Sequence, residues 1–95
     1  MAAYLLAQVE INDLEGFRDY TAAFAPTLAP FGGKVLAADD DAQSVEGTWP
    51  AGRVVIIEFD TTERAHAWYE SDAYQQISSI RRANSKATMA IVSGI

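Results

Sequence analysis

The segment HAWYESDAY, residues 66–74, sets the only histidine of the chain beside a Trp–Tyr pair, a serine and a further tyrosine. A lone histidine titrates near neutrality and suits general-base work. Here no Ser, Cys or Asp stands beside His66 in a recognisable catalytic motif, so a solvated helix residue is expected. On a helix, Ala65, Trp68 and Tyr69 share one face, and His66 points roughly 100° away from Ala65. Trp68 is therefore expected in the helix-to-sheet core. Tyr69 and Tyr74 each admit two readings, core or pocket wall. Ser71 with Asp72 behind it reads as a helix cap.

Two further residues have chemical reach. Trp49 precedes Pro50 in a loop, where a large aromatic calls for something to cover it, either a partner subunit or a cleft. Arg53 opens a strand, where a guanidinium can clamp a carboxylate or enolate bidentately; the competing reading pairs it with Glu46 across a hairpin. Arg81 and Arg82 complement the dipole of a helix end and read as solvated charges, with Arg81 on the side of Tyr74. The DDD run at 39–41 has neither the EF-hand spacing nor a histidine pair, and a solvated turn is expected with no metal. No histidine sits in a pattern for haem ligation, and phosphate loops and a GxSxG elbow are absent. Any chemistry is expected to be cofactor-free.

The elements that must hold these residues follow from periodicity. AYLLAQVEI (3–11) alternates Leu5, Ala7, Val9 and Ile11 against Tyr4, Leu6, Gln8 and Glu10, a strand with two unlike faces. NDLE reads as a capping box with Asn12 as cap and Glu15 reaching back. From Leu14 the apolar stripe Phe17, Thr21, Phe24, Leu28 and Phe31 marks a helix that Pro26 and Pro30 kink or fray and Gly32–Gly33 end. KVLAAD (34–39) is a weaker strand, and SVEG (44–47) is a candidate extension of its hairpin. RVVIIEF (53–59) is β-branched and apolar on both faces, the strongest strand in the chain. A helix begins at Asp60 or Thr61 and breaks near Ser71, resuming to about Asn84. ATMAIVSG (87–94) closes as a strand.

This order, β-α-β-β-α-β with a split second helix, is the ferredoxin-like α+β pattern: one four-stranded antiparallel sheet, strands 1 and 3 central, strands 2 and 4 at the edges. With 95 residues the chain forms a single domain, 1–95. It lacks cysteine, which removes disulfides and thiolate chemistry and suits a reducing compartment. A net charge of −6 argues against nucleic acid and against an anionic membrane. The apolar start lacks a basic flank and carries Gln8 and Glu10, so it does not read as a signal peptide, and a cytoplasmic location is expected. Both helical layers cover one face of the sheet, yet strand 3 is apolar on two: Val55, Ile57 and Phe59 against Val54, Ile56 and Glu58. Burying Val54 and Ile56 is worth about 1.5–3 kcal/mol each, which a homodimer closing two sheets into a barrel would secure. Glu58 then either meets water or a partner inside that barrel or sits at its wet rim.

EGTWPAGRVVIIEF followed by AHAWYESDAYQ resembles domain-of-unknown-function family 1330, a branch of the dimeric α+β barrel superfamily. The residues that carry the resemblance are Glu46, Gly47, Trp49, Pro50, Arg53, Glu58, Phe59, Ala65, Trp68, Tyr69, Ser71, Tyr74 and Gly94, with FGGKVL (31–36) similar to the family's glycine turn. The resemblance implies the fold and a homodimer. It implies no activity, because the family has none established. Superfamily relatives include cofactor-free monooxygenases, haem-degrading enzymes and isomerases, a link of fold alone. The functional expectation is a small acidic or aromatic molecule held between sheet and helices by Trp49, Arg53, Trp68, Tyr69 and Tyr74, with Arg53 on its acidic group. The rival expectation is a non-catalytic interaction module without a ligand.

Overall fold

The computed structural model describes all 95 residues. Four strands form one antiparallel sheet: β1 (Ala3–Ile11), β2 (Lys34–Asp39), β3 (Arg53–Phe59) and β4 (Ser85–Ser93). Their order across the sheet is β2-β3-β1-β4. The strand with apolar side chains on both faces, β3, thus lies inside the sheet, where both faces find neighbours. Three helices cover one face: α1 (Leu14–Leu28), α2 (Thr62–Glu70) and α3 (Asp72–Asn84). This is the ferredoxin-like α+β fold.

The alternation along β1 decides what is buried. Ala3, Leu5, Ala7 and Val9 point at the helices and are buried, joined from β3 by Ile57 and Phe59. The register that pairs Leu5 with Ile57 and Ala7 with Val55 keeps these side chains on one face. The opposite face carries Tyr4, Leu6, Gln8, Val54, Ile56 and Glu58, since Leu6 pairs with Ile56 and Gln8 with Val54. Leu6 keeps 38 % of its surface exposed and Val92 41 %, so this apolar face has no cover within the chain. At the edge, β2 slips register between Val35 and Ala37, leaving Leu36 as the extra residue of a bulge. Such an irregularity also blunts an unpaired edge.

The helix ends show the local logic. Asp13, not Asn12, caps α1: its backbone is extended and its Oδ1 accepts from the Gly16 N–H at 3.1 Å. The N–H groups of Asn12 and Asp13 both donate to the Asn84 carbonyl, at 2.8 and 3.2 Å, which ties this entry to the end of α3. α1 runs through Pro26 to Leu28 and passes into a single 3-10 turn, Ala29–Phe31, that Gly32 closes in the left-handed region at φ 69°. Thr61 caps α2 and Ser71 caps α3, each accepting from the N–H three residues on. Residues 44–47 do not extend the hairpin. β2 pairs with β3 only as far as Asp39, after which Asp39 turns the chain by accepting from the Asp41 N–H and Ser44 bonds the Gly47 carbonyl. These local bonds satisfy the loop without a ladder. β4 begins two residues early, at Ser85, where it still pairs with Ile11.

Candidate functional site

The core is an aromatic cluster seated on the sheet. The Trp68 ring lies 4.1 Å from Tyr74, 5.7 Å from Phe59 and 5.8 Å from Phe24, centroid to centroid. Its indole N–H donates to Thr27 Oγ1 at 3.0 Å, and that hydroxyl donates in turn to the Phe24 carbonyl at 2.6 Å. One hydrogen-bonded chain therefore fixes the ring and leaves no buried donor idle, the usual condition for a tryptophan this deep.

Between α1 and the sheet the packing is incomplete. A cavity of about 160 Å³ is bounded by Phe17, Tyr20, Thr21 and Phe24 of α1, by Leu5, Ala7, Val9, Val55 and Ile57 of the central strands, and by Trp68. Its exposed wall residues, Thr21, Val35 and Ala38, mark an opening toward the β2 edge. Arg53 is the only charged residue on its wall. Its guanidinium carbon stands 5.9 Å from the centre of the Phe17 ring, within cation–π range. The acid that holds Arg53 is Asp40 rather than Glu46: Nε donates to Oδ1 at 2.6 Å and Nη2 to Oδ2 at 3.2 Å. Asp40 lies directly past the end of β2, within reach of the first residue of β3, whereas Glu46 is carried off by the loop. The Arg53 hydrogen bonds hold the Asp40 carboxyl below its usual range, and Asp40 raises Arg53 in return.

A second arrangement joins three buried polar groups. The hydroxyls of Tyr20 and Tyr74 lie 2.9 Å apart, and Arg81 Nε donates to Tyr74 Oη at 3.2 Å. Burial first, then the neighbouring Tyr74 hydroxyl, pushes the Tyr20 phenol far above the ordinary tyrosine range. Arg81 is not the solvated charge that its place in the last helical turn suggests; only 6 % of it is exposed. The end of α3 is held against the start of α1, with Asn12 and Asp13 both donating to Asn84 O, while Arg82 and Ala83 stay exposed. Beyond Tyr74, Arg81 borders a broader cleft of about 540 Å³ between α2 and β4, shared with His66, Tyr69, Glu70, Met89 and Ile91.

The five ligand-binding candidates thus divide. Trp68 and Arg53 line the cavity under α1. Tyr69 is half-buried against Trp68 and Tyr74 and faces the cleft. Tyr74 is wholly buried and lines neither space. Trp49 stands 53 % exposed in the loop before β3 and lines neither. His66 is an exposed helix residue at the cleft. Sequence reasoning did not single out Tyr20, although its spacing from Phe17 and Phe24 puts all three on one helical face. No group of three or more His, Asp or Glu residues is placed to hold a metal ion, and no helix is long and apolar enough to cross a membrane.

Solved structures share this architecture. A protein of unknown function from Rhodopseudomonas palustris superimposes with a TM-score of 0.81 at 15 % identity, covering 99 % of this chain and 82 % of that one. A dimeric ferredoxin-like protein of unknown function from Jannaschia sp. CCS1 gives 0.79 at 9 % identity, over 99 % and 100 %. SnoaB, a cofactor-independent oxygenase from Streptomyces nogalater, gives 0.63 at 12 % identity, over 99 % and 93 %. At these identities the likeness is one of fold. No curated protein matches the chain. The model of the family described as domain of unknown function DUF1330 matches residues 2–95, essentially the whole chain, and the protein belongs to that family.

Proposed function

We propose that the protein is a homodimeric α+β barrel that binds a small, largely apolar molecule of about one aromatic ring beneath α1. The observation that carries this reading is the cavity itself: about 160 Å³, with 12 of its 14 wall residues hydrophobic. An apolar space of roughly 150 Å³ is large enough to take up benzene. The aromatic wall of Phe17, Phe24 and Trp68 supplies ring-to-ring contact, and Arg53 orients a phenolic or acidic substituent at the opening. Asp40 already occupies two guanidinium nitrogens, so a neutral or weakly acidic ligand suits this position better than a strong acid. The chemistry we attach to the site is cofactor-free proton transfer or oxygenation, with an enolate-like species held by polar donors. The description of the Streptomyces nogalater neighbour supports that through the shared fold alone.

The open face of the sheet supports the homodimer, as does the dimeric neighbour from Jannaschia. Leu6, Ile56 and Val92 lie on that face, and each adds about 1.5–3 kcal/mol when covered. The second reading, a non-catalytic module whose dimer is the functional unit, has one observation in its favour. Every fully buried side-chain polar atom already has a partner inside the chain.

Titration with phenol and with small carboxylic acids, read by Trp68 fluorescence in a Trp49→Phe background, tests the binding. Saturable quenching is expected, weakened by Arg53→Ala for phenols and lost in Val55→Phe, which fills the cavity. Quenching that Val55→Phe leaves intact refutes the site. Sedimentation tests the assembly: a dimer for the wild type and a monomer for Ile56→Lys is the expected pair, and a wild-type monomer at micromolar concentration rules the barrel out.

A further inference from the structure

The two partly or fully buried arginines beside the core differ in one respect. Arg53 has a carboxylate, and the ion pair it makes with Asp40 is the only one in the chain. Arg81 is the more deeply buried, 6 % exposed, and has none. A buried guanidinium without a counter-charge is costly, and such groups are normally paired. Its one hydrogen bond leaves from Nε, to Tyr74 Oη at 3.2 Å. Both terminal nitrogens therefore lack a partner in the chain, yet no sealed side-chain nitrogen or oxygen is left unsatisfied. It follows that these nitrogens are not sealed: they open onto the cleft between α2 and β4 that Arg81 helps to line.

From this we infer that the α2–β4 cleft is a carboxylate-binding site, with Arg81 as the recognising group and a small organic acid as the ligand. A guanidinium whose terminal nitrogens are free can engage a planar carboxylate with two parallel hydrogen bonds. Tyr74 holds Nε and so fixes the plane of the group before a ligand arrives. The remaining wall matches the rest of such a ligand. Met89 and Ile91 offer apolar surface, Tyr69 an aromatic edge, and His66 a second donor. Glu70, also on the wall, opposes an anion; it lies outside ion-pair distance of Arg81 and does not take the site itself. This cleft shares only Leu5 and Met89 with the cavity under α1, and the inference does not depend on that cavity being occupied.

The test uses benzoate as the acid and benzyl alcohol as its neutral counterpart, followed in ¹⁵N NMR spectra of the intact protein. Benzoate is expected to shift the Arg81 Nε–H resonance and the His66 ring while leaving the Trp68 indole N–H in place. Benzyl alcohol should not move the Arg81 signal. Arg81→Gln is expected to weaken benzoate at least roughly tenfold, the loss of charge-assisted hydrogen bonds, and Arg53→Gln to leave it unchanged. Glu70→Gln, a surface change that spares the fold, should tighten benzoate about threefold by removing a like charge. That variant and the Arg81 Nε–H shift decide the matter even if Arg81→Gln fails to fold. The assignment is overturned if wild type shows no benzoate-dependent Arg81 shift up to about 10 mM, the weak end of specific binding. It is equally overturned if Glu70→Gln has no effect, or if Arg53→Gln is the substitution that abolishes binding. This last result would move the acid to the cavity under α1.

Discussion

Removing a single oxygen from Tyr74 should cost far more than its size suggests. The Tyr74→Phe ring keeps its place 4.1 Å from Trp68 and 5.5 Å from Tyr69, so packing is preserved. What is lost is the hydroxyl that joins two buried groups, the Tyr20 hydroxyl at 2.9 Å and Arg81 Nε, which donates to it at 3.2 Å. Tyr20 is 7 % exposed and lines only the apolar cavity under α1, so water does not readily replace the oxygen its hydroxyl loses, and Arg81 Nε loses its one partner. Stranding a buried polar group costs about 1–3 kcal/mol, and two of them together about 2–6 kcal/mol. For a domain whose whole stability is of order 5–15 kcal/mol that is a large fraction, equivalent to a fall in Tm of roughly 10 °C or more. Urea unfolding followed by tryptophan fluorescence measures it, with an unchanged m value showing that the folded and unfolded states keep their extent. Tyr20→Phe strands neither Tyr74, which keeps Arg81, nor Arg81 itself, and should cost about 1 kcal/mol. The double variant should then cost less than the sum of the two by about 1 kcal/mol, since the Tyr20 hydroxyl can be lost only once. A Tyr74→Phe loss below about 0.5 kcal/mol, or strict additivity with Tyr20→Phe, would refute the idea that these three side chains act as one network.

Two further outcomes follow from the same geometry. Because burial raises the Tyr20 phenol, the unfolded chain releases that proton first as pH rises while the folded chain keeps it. The contribution is therefore complete below about pH 10, where free tyrosine ionises, and above it stability declines by about 1.4 kcal/mol per pH unit. Urea midpoints between about pH 10 and 12 should show this decline in the wild type and lose it in Tyr20→Phe; equal slopes would dissociate the phenol from alkaline unfolding. Gly52→Ala should destabilise the chain by about 1–3 kcal/mol, because Gly52 sits at φ 119° and an added Cβ would run into the Val9 carbonyl. Thermal unfolding compared with Gly47→Ala separates these causes, since Gly47 shares the positive φ but faces open space.

How much of this was legible beforehand depended on whether a residue's role is set by its neighbours in sequence or in space. β1, β2 and β3 run over the spans that alternation and β-branching mark out, because a strand's faces are assigned by period two whatever it pairs with. The break at Ser71 was visible for a similar reason: a hydroxyl followed by an acid is a local capping signal, and Ser71 Oγ does accept from the Tyr74 N–H. Misplacements arose where a distant group intervened. Asn12 has the side chain of a cap, but Asp13 accepts from the Gly16 N–H, and the N–H groups of both are held by the Asn84 carbonyl, far away in the chain. Arg53 was expected to meet an acid across the hairpin and does, but a long loop held by its own side-chain bonds carries Glu46 aside and leaves Asp40 adjacent.

Arg81 is the instructive residue. Read along α3, a basic pair in the last turn is what a helix dipole favours, and a solvated charge is the natural expectation. Read in the fold, the last turn of α3 is tied to the start of α1, with Gly16 leaving room for the Asn84 side chain. Of the two arginines only Arg81 shares a face with Tyr74, seven residues or two turns earlier, and it is the one drawn inward, while Arg82 stays exposed. The periodicity that sorts apolar residues therefore also sorts charges. Once a helix is known to bury a tyrosine hydroxyl, the polar residue two turns on along the same face becomes its natural partner. The same rule explains why the aromatic set splits as it does: Trp68, Tyr74 and Tyr20 are drawn in by faces of three helices, whereas Trp49, on a loop with no face to bury, remains in solvent.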